Sequence, residues 1–202
     1  MKKKEIKAFF KAISDRDLQA VTTLVHSDKA YIEACNFAPP QKDDGQSGLQ
    51  VAFKTGNFDI ALFLIENGAD VNFIEQSAVN QWRAPVLHDG IRAAIFNSYT
   101  MQKDTGNFDK ALSLLKLMLN QKADPNALDS YGNNCLHRAL LDSSQMLNHP
   151  DADFSNGILL NQLRSLFKAL IQAGADVNQV NDKRPAALEF VTNFRLENYE
   201  LF

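Results

Sequence analysis

The chain has 202 residues, 45% of them hydrophobic, with a formal net charge of -3 and a pI near 5.8. That composition excludes a disordered chain and gives no electrostatic reason to expect nucleic acid. No apolar run approaches the roughly 18 residues of a membrane span, and Lys2-Lys3-Lys4 is followed at once by Glu5 rather than by a signal-peptide core. Cys35 and Cys135 lie far apart and suit neither a disulfide framework nor a Cys-x-x-Cys site. A reducing, cytoplasmic setting is the simplest expectation, although a signal-independent export route would leave no trace in the residues.

Taken in chain order, Ile6, Phe9, Phe10 and Ile13 share one face of a first helix, and Leu18, Val21, Leu24 and Val25 line a second. Phe37 to Asp43 then reads as an inserted loop carrying Pro39-Pro40. Asp44-Gly45 makes a turn, Ser47 caps a helix bearing Leu49, Ala52 and Phe53, and Gly56 ends it. Phe58, Ala61, Leu62 and Ile65 line the helix that follows, and Gly68 stops it. A long loop from Phe73 to Arg83 leads to Ala84-Pro85-Val86-Leu87-His88, which opens another helix. Its partner, expected from Asn107 to Asn120, buries Phe108, Ala111, Leu112, Leu115 and Leu119, with Met101, Leu114 and Met118 suiting an extra turn. Asp129 to Ala139 opens a further helix, Ser144 to Gly157 reads as a loop, and Leu159, Leu163, Phe167, Leu170 and Ile171 line the next helix. Arg184-Pro185-Ala186-Ala187-Leu188 begins a last, shortened unit.

One phrase is written three times at helix ends: Asn67-Gly68-Ala69-Asp70-Val71-Asn72, Gln121-Lys122-Ala123-Asp124-Pro125-Asn126 and Ala173-Gly174-Ala175-Asp176-Val177-Asn178. Two copies follow the same helix start, Thr55-Gly56-Asn57-Phe58-Asp59 and Thr105-Gly106-Asn107-Phe108-Asp109. With Leu87-His88, Leu136-His137, Pro85 and Pro185, this punctuation resembles the ankyrin repeat. The resemblance covers about residues 5 to 195; a tetratricopeptide array is the nearest rival, but its Trp, Gly and Tyr signature is missing. It implies an all-α solenoid of helix pairs with about five units, approximately 1–36, 37–72, 73–126, 127–178 and 179–202, the first and last being atypical caps. The closing phrases lie 54 and 52 residues apart, counted from Asn72 to Asn126 to Asn178, against about 33 in a plain ankyrin unit. Enlarged helices and fingers supply the difference.

What the resemblance implies about function is stoichiometric binding of another protein through the concave face and finger loops, without catalysis, cofactor or metal. The expected form is a monomer that binds neither nucleic acid nor membrane. Two jobs fit: an inhibitor or immunity-type blocker, or an adaptor or effector acting on host proteins. An enzyme with a concave-face site is the remote alternative. Trp82 and Tyr131 stand five residues before Leu87 and Leu136, near finger tips, and Trp, Tyr and Arg dominate binding hot spots. They head the candidate contact residues, with Arg83 beside Trp82. The family's contact positions add Asp43, Asp44, Gln46, Lys54, Ser130, Asn133 and Lys183. His88 and His137 are expected to be structural, tying adjacent finger backbones by hydrogen bonds.

Overall fold

The computed structural model describes residues 2–37, 41–101 and 103–202; Ala38, Pro39 and Pro40 of the first expected insertion lie outside them. Among the described residues the regular structure is helical: α1 Lys3–Ser14, α2 Leu18–Ser27, α3 Gly48–Lys54, α4 Phe58–Glu66, α5 Val86–Phe96, α6 Gly106–Asn120, α7 Cys135–Leu147, α8 Ile158–Gln172 and α9 Ala187–Asn193. Helix-to-helix contacts order them in two rows. In one, α1 touches α3, α3 touches α5, α5 touches α7 and α7 touches α9; in the other, α2, α4, α6 and α8 follow one another. Each pair α1/α2, α3/α4, α5/α6 and α7/α8 joins the rows. One continuous apolar core runs between them, from Phe9 and Ile13 through Phe53, Ile91 and Leu115 to Leu140 and Phe167.

The repeated closing phrase has a physical purpose in this packing. Asp70, Asp124 and Asp176 each accept, through Oδ1, the backbone N–H of the residue two further on, at 2.8 Å, the local turn that favours Asp. Asn72 then reaches the next phrase, donating from Nδ2 to the Lys122 carbonyl at 3.0 Å and accepting from the Asp124 N–H at 2.7 Å. Asn126 repeats this with the Gly174 carbonyl at 2.9 Å and the Asp176 N–H at 2.8 Å. Aspartate shapes each turn and asparagine stitches it to its neighbour.

The expected helix matching is present: α6 has 15 residues where α4 has 9, and α5 has 11 where α3 has 7. Leu114 and Met118 are buried on the longer helix, whereas Met101 lies outside it and is exposed. The expected loop from Ser144 is partly helix. Helix α7 continues to Leu147 because Met146 and Leu147 return to the buried face three and four residues after Ser143, which is itself wholly buried. Ser47 caps α3 as expected, accepting from the Gln50 N–H, while Asn57 does not cap α4. Its Nδ2 donates instead to the Ile13 carbonyl at the end of α1.

Two stability predictions follow from this packing. Lys122 adopts a φ of +70° where the corresponding positions are Gly68 and Gly174, so Lys122→Gly should raise stability by up to about 1 kcal/mol in urea unfolding. Asp142, wholly buried, is held by Arg138 through Nε at 2.8 Å and through a second contact from Nη2. Arg138→Met should cost about 3 kcal/mol by stranding that carboxylate, and Arg138→Met/Asp142→Leu should recover most of the loss.

Candidate binding groove

Helices α3 and α5 and the segments that precede α5 and α7 enclose an open groove of about 890 Å³. Its walls include Phe53, Trp82, Phe96 and Tyr131, and two acidic side chains, Glu75 and Asp89, line it as well. Four of the expected contact residues line it: Gln46, Lys54, Trp82 and Tyr131. The other six are not among its lining residues, and most of them are bonded within the protein's own architecture. Asp43 and Asn133 are buried rather than solvated, because Asp43 accepts from Lys54 Nζ at 2.5 Å and Asn133 Oδ1 accepts from Arg184 Nε at 2.5 Å. Gln46, also buried, accepts from Lys54 Nζ at 3.0 Å. Asp44 accepts from the Ser77 hydroxyl at 2.9 Å. Ser130 joins the two fingers, accepting from the Arg83 N–H at 3.0 Å and donating its hydroxyl to the Gln81 carbonyl at 2.9 Å. Lys183 Nζ donates to the Ser130 carbonyl at 2.8 Å.

Trp82 and Tyr131 occupy equivalent positions in sequence but differ in environment. Trp82 is half-buried, and its Nε1 donates to Asp129 Oδ2 at 2.9 Å, so its polar edge is spent on the neighbouring finger. The Arg92 guanidinium lies 5.6 Å from its ring centre and equally far from that of Phe96. Tyr131 is 46% exposed. Asp129 is shielded by burial, yet bonds from Asn133 and Trp82 outweigh that and hold its carboxyl below the usual range.

Three residues that shape the groove chemically were not among the expected contacts. Asp89 is 4% exposed; Gln50 Nε2 donates to its Oδ2 at 2.9 Å, and among the described residues its Oδ1 has no partner. Burial pushes its pKa up to about 7, against the opposing pull of the Gln50 bond, Lys54 and Arg92. Glu75 is 3% exposed and, among the described residues, accepts two long bonds, from Gln46 Nε2 at 3.4 Å and Asn80 Nδ2 at 3.5 Å. Burial raises its pKa as well. Arg92 is the third. Its position in the first helix of a unit is the signal that could have singled it out, since Lys54 stands at the same distance from Gln50 as Arg92 from His88.

The two histidines diverge. His137 behaves as expected: Nδ1 accepts from the Asn134 N–H at 3.3 Å, and Nε2 lies 2.8 Å from the Pro185 carbonyl of the following finger. At the equivalent position Gln50 donates to the Ala84 carbonyl at 3.3 Å. His88 forms no such tie, and both of its buried ring nitrogens lack a hydrogen-bond partner among the described residues. Desolvation lowers its pKa to about 3. Among the described residues no three His, Cys, Asp or Glu side chains are grouped to hold a metal, and no helix is long and apolar enough to cross a membrane. No family model matches the chain, and comparison with curated proteins finds no match.

His88 and Asp89 make opposite contributions to stability as pH changes. Between pH 6.5 and about 3 the unfolded chain binds a proton that folded His88 refuses, so its contribution falls on acidification. Between about 7 and 3.8 folded Asp89 keeps a proton that the unfolded chain releases, so its contribution rises on acidification. Each slope is about 1.4 kcal/mol per pH unit at most, and they cancel where the windows overlap. Relative to wild type, Asp89→Asn should therefore lose stability from pH 6.5 to 4, and His88→Gln should gain it. Urea unfolding across that range checks both signs.

Proposed function

We propose that the chain is a protein-binding module of the ankyrin type, acting stoichiometrically through the side formed by α3, α5 and their finger segments. The observation that carries this reading is the groove, a preformed recess with aromatic walls and buried charges, assembled from several elements. Concave sites of that make-up are where binding partners insert anchoring side chains. The two-row order of helices and the Asn–Asp stitches between closing phrases support the ankyrin-type architecture. A scaffold already held by those bonds loses little freedom on association, which favours affinity. The exposed Tyr131 ring at the groove's edge is the natural first contact.

The test is a site-specific photo-crosslinker placed at Tyr131 and, separately, at Leu62 on α4, which is exposed but lies outside this groove. A partner in source-cell lysate should crosslink at position 131 and not at 62, and Tyr131→Ala should weaken its capture about tenfold or more. Crosslinking at 62 alone would move the interface to the outer helices and remove the groove from the account.

A further inference from the structure

The groove contains two carboxylates and too few donors for them. Among the described residues, Asp89 Oδ2 has one neutral amide donor, Gln50 Nε2, and Oδ1 has none. Asp89 is one of the residues that line the groove. Glu75 relies on two amide contacts at the limit of hydrogen-bonding distance. The cations that face these carboxylates already have partners. Lys54 Nζ bonds Asp43 and Gln46, and Arg92 lies against two aromatic rings and 4.0 Å from Asp142. A carboxylate oxygen with no protein donor offers a charge-assisted hydrogen bond to a ligand that brings one.

We propose, building on the protein-binding reading above, that the groove receives an arginine side chain of the partner. Its guanidinium would donate to Asp89 Oδ1 and to Glu75, and its stem would lie along the Trp82 and Tyr131 walls. Arg16, Lys54 and Arg92 line the groove as well, so its net charge does not choose the ligand; the carboxylate oxygen left without a donor does, and an ionised acceptor is met best by a charged donor. The aromatic lining favours the planar, weakly hydrated guanidinium over a compact ammonium, which holds its water more tightly. An acidic ligand would instead meet two buried carboxylates of like charge.

Two arms test this on the full-length chain. In the first, the backbone and Trp82 indole resonances are followed by NMR at pH 8, where Asp89 is ionised. N-acetyl-Gly-Arg-Gly-amide is added, with the Gly-norleucine-Gly and Gly-Glu-Gly amides as controls. The arginine peptide should shift the Asp89, Glu75 and Trp82 signals and bind about tenfold or more tightly than either control. Asp89→Asn and Glu75→Gln, each checked by thermal unfolding, should weaken it by a similar factor. In the second arm, a displayed random-peptide library is selected on the wild type. Groove binders, recognised by their loss with Tyr131→Ala, should be enriched in arginine. Groove-binding peptides without arginine, together with no arginine preference among the tripeptides, would overturn the guanidinium assignment and leave protein binding standing. Failure to obtain any groove-binding peptide, with no tripeptide shifts, would remove both.

Discussion

Helix α5 is enclosed by α3, α6, α7 and α8, and nine of its eleven residues are buried. The groove's chemistry depends on that enclosure. Val86, Leu87, Ile91 and Ile95, each at most 1% exposed, contribute about 1.5–3 kcal/mol apiece on burial. They outweigh the roughly 1–3 kcal/mol that each uncompensated polar group costs. A helix held this firmly can carry His88 with no bonds and Asp89 with a single one without coming apart. Desolvation at these two positions is imposed by packing, and the altered protonation of both side chains is its electrostatic expression.

Much of the architecture was legible because it is written in local chemistry. Ser47 before Leu49, and Asp70-x-Asn72 with its two later copies, encode caps and turns that need only neighbouring residues to form. The inter-unit role of Asn72 and Asn126 was less visible, since its partners lie about fifty residues away and local reading sees only a turn. The continuation of α7 past Ser144 was hidden because Ser143, Ser144 and Gln145 interrupt the apolar pattern. Yet Ser143 lies inside, against a surface that only the folded neighbours supply.

The groove was half legible. Trp82 and Tyr131 were found through their positions relative to the helix starts, Gln46 and Lys54 through the contact positions the resemblance implies, and all four line it. Asp89 and Glu75 were not, because a carboxylate in a sequence looks the same whether it meets water or an apolar wall. Trp82 shows the converse limit. Its place near a finger tip was clear, but the bond from Nε1 to Asp129, which turns the indole's polar edge toward the next finger, joins residues 47 positions apart. His88 shows a third: it has the same motif as His137, but lacks the carbonyl contact that makes His137 a tie.

Asp44, Trp82, Tyr131 and Lys183 hold the same place, five residues before Leu49, Leu87, Leu136 and Leu188, and each carries different chemistry. Two of them are followed by a glycine that the neighbouring finger presses against. A Cβ on Gly45 would lie 2.0 Å from the Ser77 nitrogen, and one on Gly132 would lie 2.6 Å from Asn181 Oδ1. Both also have φ near +80°, which disfavours any side chain. Fingers nested at this distance leave no room for a side chain at either glycine, whereas the residues before the two glycines, Asp44 and Tyr131, differ in kind. Change at this rim is therefore a change of side chain at fixed stations, and a side chain added at either glycine would have to break the nesting first.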